Sequence, residues 1–183
     1  PARIIGMENE IGSLAVGKCA DICILDKKLW ICPRNFKDII VFDINTQKCD
    51  SISWAENREK YRKIRVYKEW IVFFPITMDE DIIMVHKDTY KRKVIPLKLP
   101  EQIGIFTAIE IVGENAILAP YKGNKTLFIS LETGKVTMEK NSIFDDGSYV
   151  LSFRTKDKVI FTSEMSEVPI LIYDVGNKKS SFF

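Results

Sequence analysis

The sequence predicts an all-β chain of about four tandem units, each made of four short strands. Three observations carry that expectation. A strand-ending motif recurs as KLWICP (Lys28 to Pro33), WIVFFP (Trp70 to Pro75), NAILAP (Asn115 to Pro120) and KVIFTS (Lys158 to Ser163), with last residues 42, 45 and 43 positions apart. A second motif follows each copy: DIIVFDINTQK (Asp38 to Lys48), DIIMVHKDTYK (Asp81 to Lys91), KTLFISLETGK (Lys125 to Lys135) and PILIYDVGNKK (Pro169 to Lys179). Their final lysines are 43, 44 and 44 positions apart. The runs themselves are short, rich in Ile, Val, Phe and Tyr, and bounded by polar or turn residues, which is the strand pattern.

Two separate anchors keep one period in the forties, the spacing of four-stranded blades in a β-propeller. The runs are nearly continuous in apolar residues, as expected where neighbouring blades cover both faces of a sheet. Proline has no N–H for a ladder, so Pro33, Pro75 and Pro120 are expected where pairing stops. INTQK, KDTYK, LETGK and VGNKK read as hairpin turns, with Asn45-Thr46, Asp88-Thr89, Glu132-Thr133 and Gly176-Asn177 at equivalent exposed positions. Phe42-Asp43 and Tyr173-Asp174 resemble the aromatic-Asp blade ending of the WD40 family, while Val85-His86 and Ile129-Ser130 depart from it. The resemblance spans residues 22 to 183 and is one to propeller repeats in general.

Taken in order, the chain divides into a segment 1–27 and a repeat region 28–183, with blades near 28–54, 62–99, 107–143 and 148–183. The first segment carries Pro1-Ala2-Arg3, Gly6, Ile11-Gly12-Ser13-Leu14, Gly17-Lys18, Ala20-Asp21 and Ile24-Leu25-Asp26. This resembles the C-terminal tail of amidohydrolases, most closely the N-acetylglucosamine-6-phosphate deacetylases. Cys19 stands where that family has an acidic residue. The resemblance implies a remnant, a fusion or an end piece of such an enzyme, whose metal-binding and catalytic positions lie upstream of this stretch. Read from the residues alone, Pro1 to Met7 suits a helical turn, Ile11 to Val16 a weakly alternating strand, and Asp21 to Asp26 the inner strand of the first blade. Ala55 to Lys63 is a charged connection. Arg92 to Ile103 holds an edge strand interrupted by Pro96 and Pro100, and Asp145-Asp146-Gly147 is a tight turn before the strand Tyr149 to Phe153. The last copy ends at Ser180-Ser181-Phe182-Phe183, a stub of an outer strand, so an open or partial propeller is expected, either a fragment or one completed by another copy of the chain.

A net charge of +2 with 28% charged residues offers no large basic field for nucleic acid or a membrane surface. No run of eighteen apolar residues is present, so no membrane span is expected. No leader segment is visible, and the chain begins at Pro1 rather than Met. Of four cysteines, Cys23 and Cys32 fall in apolar runs and read as buried thiols of a cytoplasmic protein. Cys19-x-x-x-Cys23 lacks the second ligand pair that zinc requires.

The one histidine, His86, occupies the strand-end position held elsewhere by Asp43, Ser130 and Asp174. One histidine does not make a multi-histidine metal site, and no phosphate loop or nucleophile motif is present, so no cofactor or catalytic set is expected. Asp79, Glu80, Asp145 and Asp146 raise paired-carboxylate catalysis, because loops within and between blades emerge on one face; solvated turn carboxylates are the better reading of them. Trp30 and Trp70, placed at aligned strand ends, read as packing rather than a sugar platform. The expected function is a non-catalytic binding or scaffolding surface for a protein or carbohydrate. Its face comprises Arg34, Asn35, Phe36 and Lys37; Thr77, Asp79 and Glu80; Tyr121, Lys122 and Asn124; and Glu164 and Met165, four corresponding loops over a fixed scaffold.

Overall fold

A computed structural model describes residues 22–32, 38–53, 61–97, 99, 103–141 and 143–183. Residues 1–21, which hold most of the amidohydrolase-like stretch, and the candidate residues Arg34, Asn35, Phe36 and Lys37 lie outside the described residues, as do 55–60 of the charged connection.

Among the described residues, sixteen strands form four antiparallel sheets, each of four consecutive strands in sequence order. The first sheet is β1 (Ile22–Leu25), β2 (Lys28–Ile31), β3 (Asp38–Asp43) and β4 (Lys48–Ser53). The second is β5 (Tyr61–Tyr67), β6 (Trp70–Pro75), β7 (Ile82–His86) and β8 (Arg92–Ile95). The third is β9 (Ile105–Val112), β10 (Asn115–Lys122), β11 (Lys125–Ser130) and β12 (Val136–Lys140). The fourth is β13 (Tyr149–Arg154), β14 (Lys158–Ser163), β15 (Leu171–Asp174) and β16 (Lys179–Phe182). In every sheet the two anchor motifs pair antiparallel, for example Trp70 with His86 and Ile117 with Phe128.

One local circuit repeats in all four sheets. The residue after the third strand donates its amide to a turn residue between the first two: Ile44 to Lys27, Lys87 to Glu69 and Val175 to Asp157 at 2.9 Å, and Leu131 to Glu114 at 2.8 Å. Four residues past each strand end, the backbone turns left-handed at Gln47 (φ 54°), Tyr90 (56°), Gly134 (73°) and Lys178 (53°). A loop that ends on such a residue realigns the two strands after a type I turn. Three of the four carry a side chain there, where glycine is the residue least strained by positive φ.

The chain forms two compact units: the described residues up to Pro75 with Ile83–Lys93, and Ile76–Ile82 with Val94–Phe183. In the first unit Trp30, Ile39 and Val41 pack with Tyr61, Ile71, Phe73, Ile83 and Val85. In the second, Ala108, Ile117 and Ala119 pack with Tyr149, Val159, Phe161 and Leu171. Each large side chain so buried contributes on the order of 1.5–3 kcal/mol.

Some expectations change. Tyr61, Arg62 and Lys63 belong to β5 rather than to the charged connection, because Tyr61 is fully buried in the core and pairs with Pro75. Pro120 lies inside β10, where register shifts on either side absorb its missing N–H. Trp30 sits within β2, paired with Cys23 and Val41, whereas Trp70 opens β6 and packs edge-on against His86 at 5.2 Å. Cys32 is buried and its thiol donates to the Tyr61 carbonyl, but Cys23 is only half-buried. The apolar runs of β1 and β13 are not covered on both faces, since Ile24 and Phe153 are 63% and 55% exposed.

Candidate binding face

The second unit brings together most of the loop residues singled out by the repeat. Tyr121 and Lys122 end β10, Asn124 precedes β11, and Glu164 and Met165 follow β14. Thr77, Asp79 and Glu80 belong to the same unit, on the segment that follows β6.

The β10 end is shaped by two glycines. Gly104 and Gly123 have φ of 125° and 92°, conformations that L side chains rarely adopt. A Cβ on Gly104 would lie 2.1 Å from the Lys122 carbonyl oxygen, and one on Gly123 would lie 3.2 Å from that of Ile103. The two strands therefore approach more closely here than any side chain permits.

The stretch Asp145–Ser148 then clamps this corner. The Gly123 amide donates to Asp146 Oδ1 at 2.6 Å, the Gly147 amide to the Gly123 carbonyl at 3.2 Å, and the Ser148 amide to the Tyr121 carbonyl at 2.9 Å. The Glu164 amide donates to the Ser148 carbonyl at 3.1 Å, and the Ser148 hydroxyl contacts Met165 Sδ at 3.1 Å. Across the surface, the Tyr121 hydroxyl donates to Glu164 Oε1 at 2.8 Å. That carboxylate holds the Tyr121 phenol above its ordinary pKa, first by accepting its proton in a hydrogen bond and then by its charge. Tyr121, Gly123, Ser148, Glu164 and Met165 thus form one hydrogen-bonded rim, with Lys122, Glu164 and Met165 exposed on it.

The segment after β6 is anchored separately. The Phe106 amide donates to the Ile76 carbonyl at 2.7 Å, and Phe106 pairs with Pro120 in the β9–β10 ladder. Met78 is buried with φ 53°, which turns Asp79 outward, and the Thr77 hydroxyl donates to Asp79 Oδ1. Asp81 accepts the Leu97 amide at 3.0 Å. Asp146 and Asp81 thus each accept a backbone amide. Among the described residues, no three or more His, Cys, Asp or Glu side chains gather as a metal site would need.

Sequence reasoning read Asp145-Asp146-Gly147 as a turn but not as the clamp on Tyr121 and Gly123. The available signal was Asp-Gly before a strand in a chain that places Gly123 one repeat loop earlier. His86 belongs to the first unit, where it ends β7 and opens the β7–β8 hairpin.

No family model matches the chain, and no curated protein matches it. Solved structures do. A virginiamycin B lyase from Staphylococcus aureus aligns with TM-score 0.71 and 14% identity over 90% of this chain and 54% of its own. A streptogramin B lyase aligns with TM-score 0.69 and 14% identity over 90% of this chain and 53% of its own. The computationally designed Ika8 protein aligns with TM-score 0.58 and 10% identity over 86% of this chain and 46% of its own. The chain spans about half the length of these structures. At such identities the likeness is one of fold, and that fold is β-propeller-like: the four sheets are propeller-type blades. None of these comparisons supports the amidohydrolase resemblance of residues 1–27 or a WD40 assignment.

Proposed function

We propose that the chain is a propeller-type binding module, and that its second unit takes a polar ligand, protein or carbohydrate, on the rim formed by Tyr121, Lys122, Asn124, Glu164 and Met165, with Thr77, Asp79 and Glu80 on the same unit. The observation that carries this reading is the Tyr121–Glu164 hydrogen bond, which joins loops of two successive blades while both groups remain at the surface. Behind it, the Gly123–Asp146 and Ser148–Tyr121 bonds fix the backbone that carries them. Side chains held this way lose little freedom when a ligand arrives, which favours recognition. Phenol, ammonium, amide and carboxylate groups together offer donors and acceptors suited to hydroxyl and peptide groups. Free rims over a rigid β scaffold are where such folds place recognition.

The names of the solved neighbours describe lyases, and that activity is theirs. Their likeness to this chain lies in the fold, and a fold hosts many functions.

Isotope-labelled protein titrated with oligosaccharides and with peptides tests the reading by amide chemical-shift changes. Changes centred on residues 121–124, 146–148 and 164–165 are expected from one of the two ligand sets, and should vanish in Tyr121→Ala. Changes confined to the opposite hairpins, 131–134 and 175–178, would overturn the proposal, as would silence from both ligand sets.

A further inference from the structure

The fourth sheet buries one face and leaves the other bare. Val159, Phe161 and Leu171 pack into the core of the second unit. On the opposite face Leu151 and Phe153 are 56% and 55% exposed, and Phe153 continues across the ladder into half-buried Ile160 and Ile172. The repeat itself identifies what this face is for. Phe153, Ile160 and Ile172 stand in the register that Glu110, Ile117 and Phe128 hold one blade earlier. There Ile117 and Phe128 pack against the fourth sheet. The bare face is thus the one a blade of this chain lays upon its successor.

The first sheet is only partly covered on the reciprocal side, where Ile31 is buried and Leu29 and Phe42 are half-buried. Its Trp30 and Val41 face packs with residues of the second sheet, while Ile22 and Ile24 on the other side are 41% and 63% exposed. Ile24, Leu29 and Phe42 stand in the register of Arg154, Val159 and Tyr173, the face on which the fourth sheet receives the third. Among the described residues, these two faces are therefore the two halves of one blade-on-blade interface.

We propose that a second copy of this chain docks head to tail, its Ile22–Ile24 face on the Leu151–Phe153 face of the first. The contact repeats the interface the chain already makes between successive blades. Two copies also bring together about as much propeller-like chain as the solved neighbours contain, since one copy spans 54% and 53% of the two lyases. Such an interface is heterologous, so it uses different patches on the two partners and can extend or close.

Sedimentation of the intact chain at about 100 µM, which detects contacts of that affinity or tighter, should show species of two or more copies. Phe153→Lys, Leu151→Lys and Ile24→Glu, all at exposed positions, should each reduce the protein to a monomer with an unchanged thermal melt. Mixing Phe153→Lys with Ile24→Glu should restore a one-to-one complex, because each variant keeps the intact face that the other needs. A misfolded variant could not do so. A monomeric parent chain, association that survives these substitutions, or failure of the mixture to reassociate would each overturn the proposal.

Discussion

Asp43 and His86 do the same work with different chemistry. Asp43 Oδ1 accepts the amides of Asn45 and Thr46, both at 2.9 Å, and His86 Nδ1 faces those of Asp88 and Thr89 at 3.3 and 3.4 Å. Each side chain closes the short loop that follows its strand. Ser130 and Asp174 do likewise for the amides of Thr133 and Asn177, at 3.3 and 2.7 Å. An acceptor two or three residues upstream is the common requirement, and short polar side chains meet it. The imidazole satisfies it at longer range and adds its edge-on contact with Trp70.

His86→Asp is therefore expected to leave stability unchanged or to raise it slightly, since the carboxylate reproduces the shorter bonds of Asp43. His86→Ala removes the acceptor and is expected to lower stability by about 1 kcal/mol. Urea unfolding of the two variants checks the order. A less stable Asp variant than Ala variant would contradict this account of the loop.

The carboxylate caps should respond to acid where the serine cap does not. The Thr46 amide, with that of Asn45, holds Asp43 below its ordinary value of 3.8, and the Asn177 amide does the same for Asp174. A carboxyl depressed by folding stabilises the folded state above its unfolded pKa, and that contribution is lost as pH falls through the lower folded value. The amide proton shifts of Thr46 and Asn177 should move below pH 3.8, whereas that of Thr133 should not follow them. Neither carboxylate is buried, so the effect belongs to the loops rather than to global unfolding.

How much of this was legible beforehand depended on what each feature asks of the sequence. Strand positions such as Trp70 to Pro75 show as apolar runs, because burying them requires a residue type that any reader can see. The hairpins show through Asn, Asp, Gly and Thr. The left-handed residues Gln47, Tyr90 and Lys178 do not, since the loop imposes their φ whatever the side chain. Nor did the clamp of Asp146 on Gly123, which joins residues 23 positions apart and depends on how two blades pack. Pro120 misled for the same reason: a proline ends a ladder only if no bulge accommodates it, and here one does.

Gly104 and Gly113 both have positive φ but should differ sharply when replaced by alanine. At Gly104 the new Cβ would meet the Lys122 carbonyl oxygen at 2.1 Å, and both contacting groups are backbone. A loss of several kcal/mol or failure to fold is expected. At Gly113, φ is 60° and nothing lies within 4 Å, so only the left-handed strain of about 1 kcal/mol remains. Thermal melting of the pair measures the contrast, and equal losses would refute the close approach.

Neither hydrolytic nor lyase turnover is expected from this chain alone. Its one histidine faces loop amides through Nδ1, and the carboxylates of Asp81 and Asp146 accept backbone amides. N-acetylglucosamine-6-phosphate should release no acetate with or without added divalent metal. Quinupristin, the compound seen with an inactive variant of the Staphylococcus aureus lyase, should be recovered intact. Chromatography of both incubations decides, and either product would place the chain among enzymes.

No described sheet borrows a strand from another repeat: each is four consecutive strands joined by hairpins or short loops. A break between β4 and β5, or between β12 and β13, therefore cuts no ladder hydrogen bond. Duplication or loss of one period in the coding sequence would add or remove a whole sheet, with its turn circuit and its two packing faces intact. Genetic recombination can thus change the number of blades in single steps, and each intermediate would keep every remaining sheet fully paired.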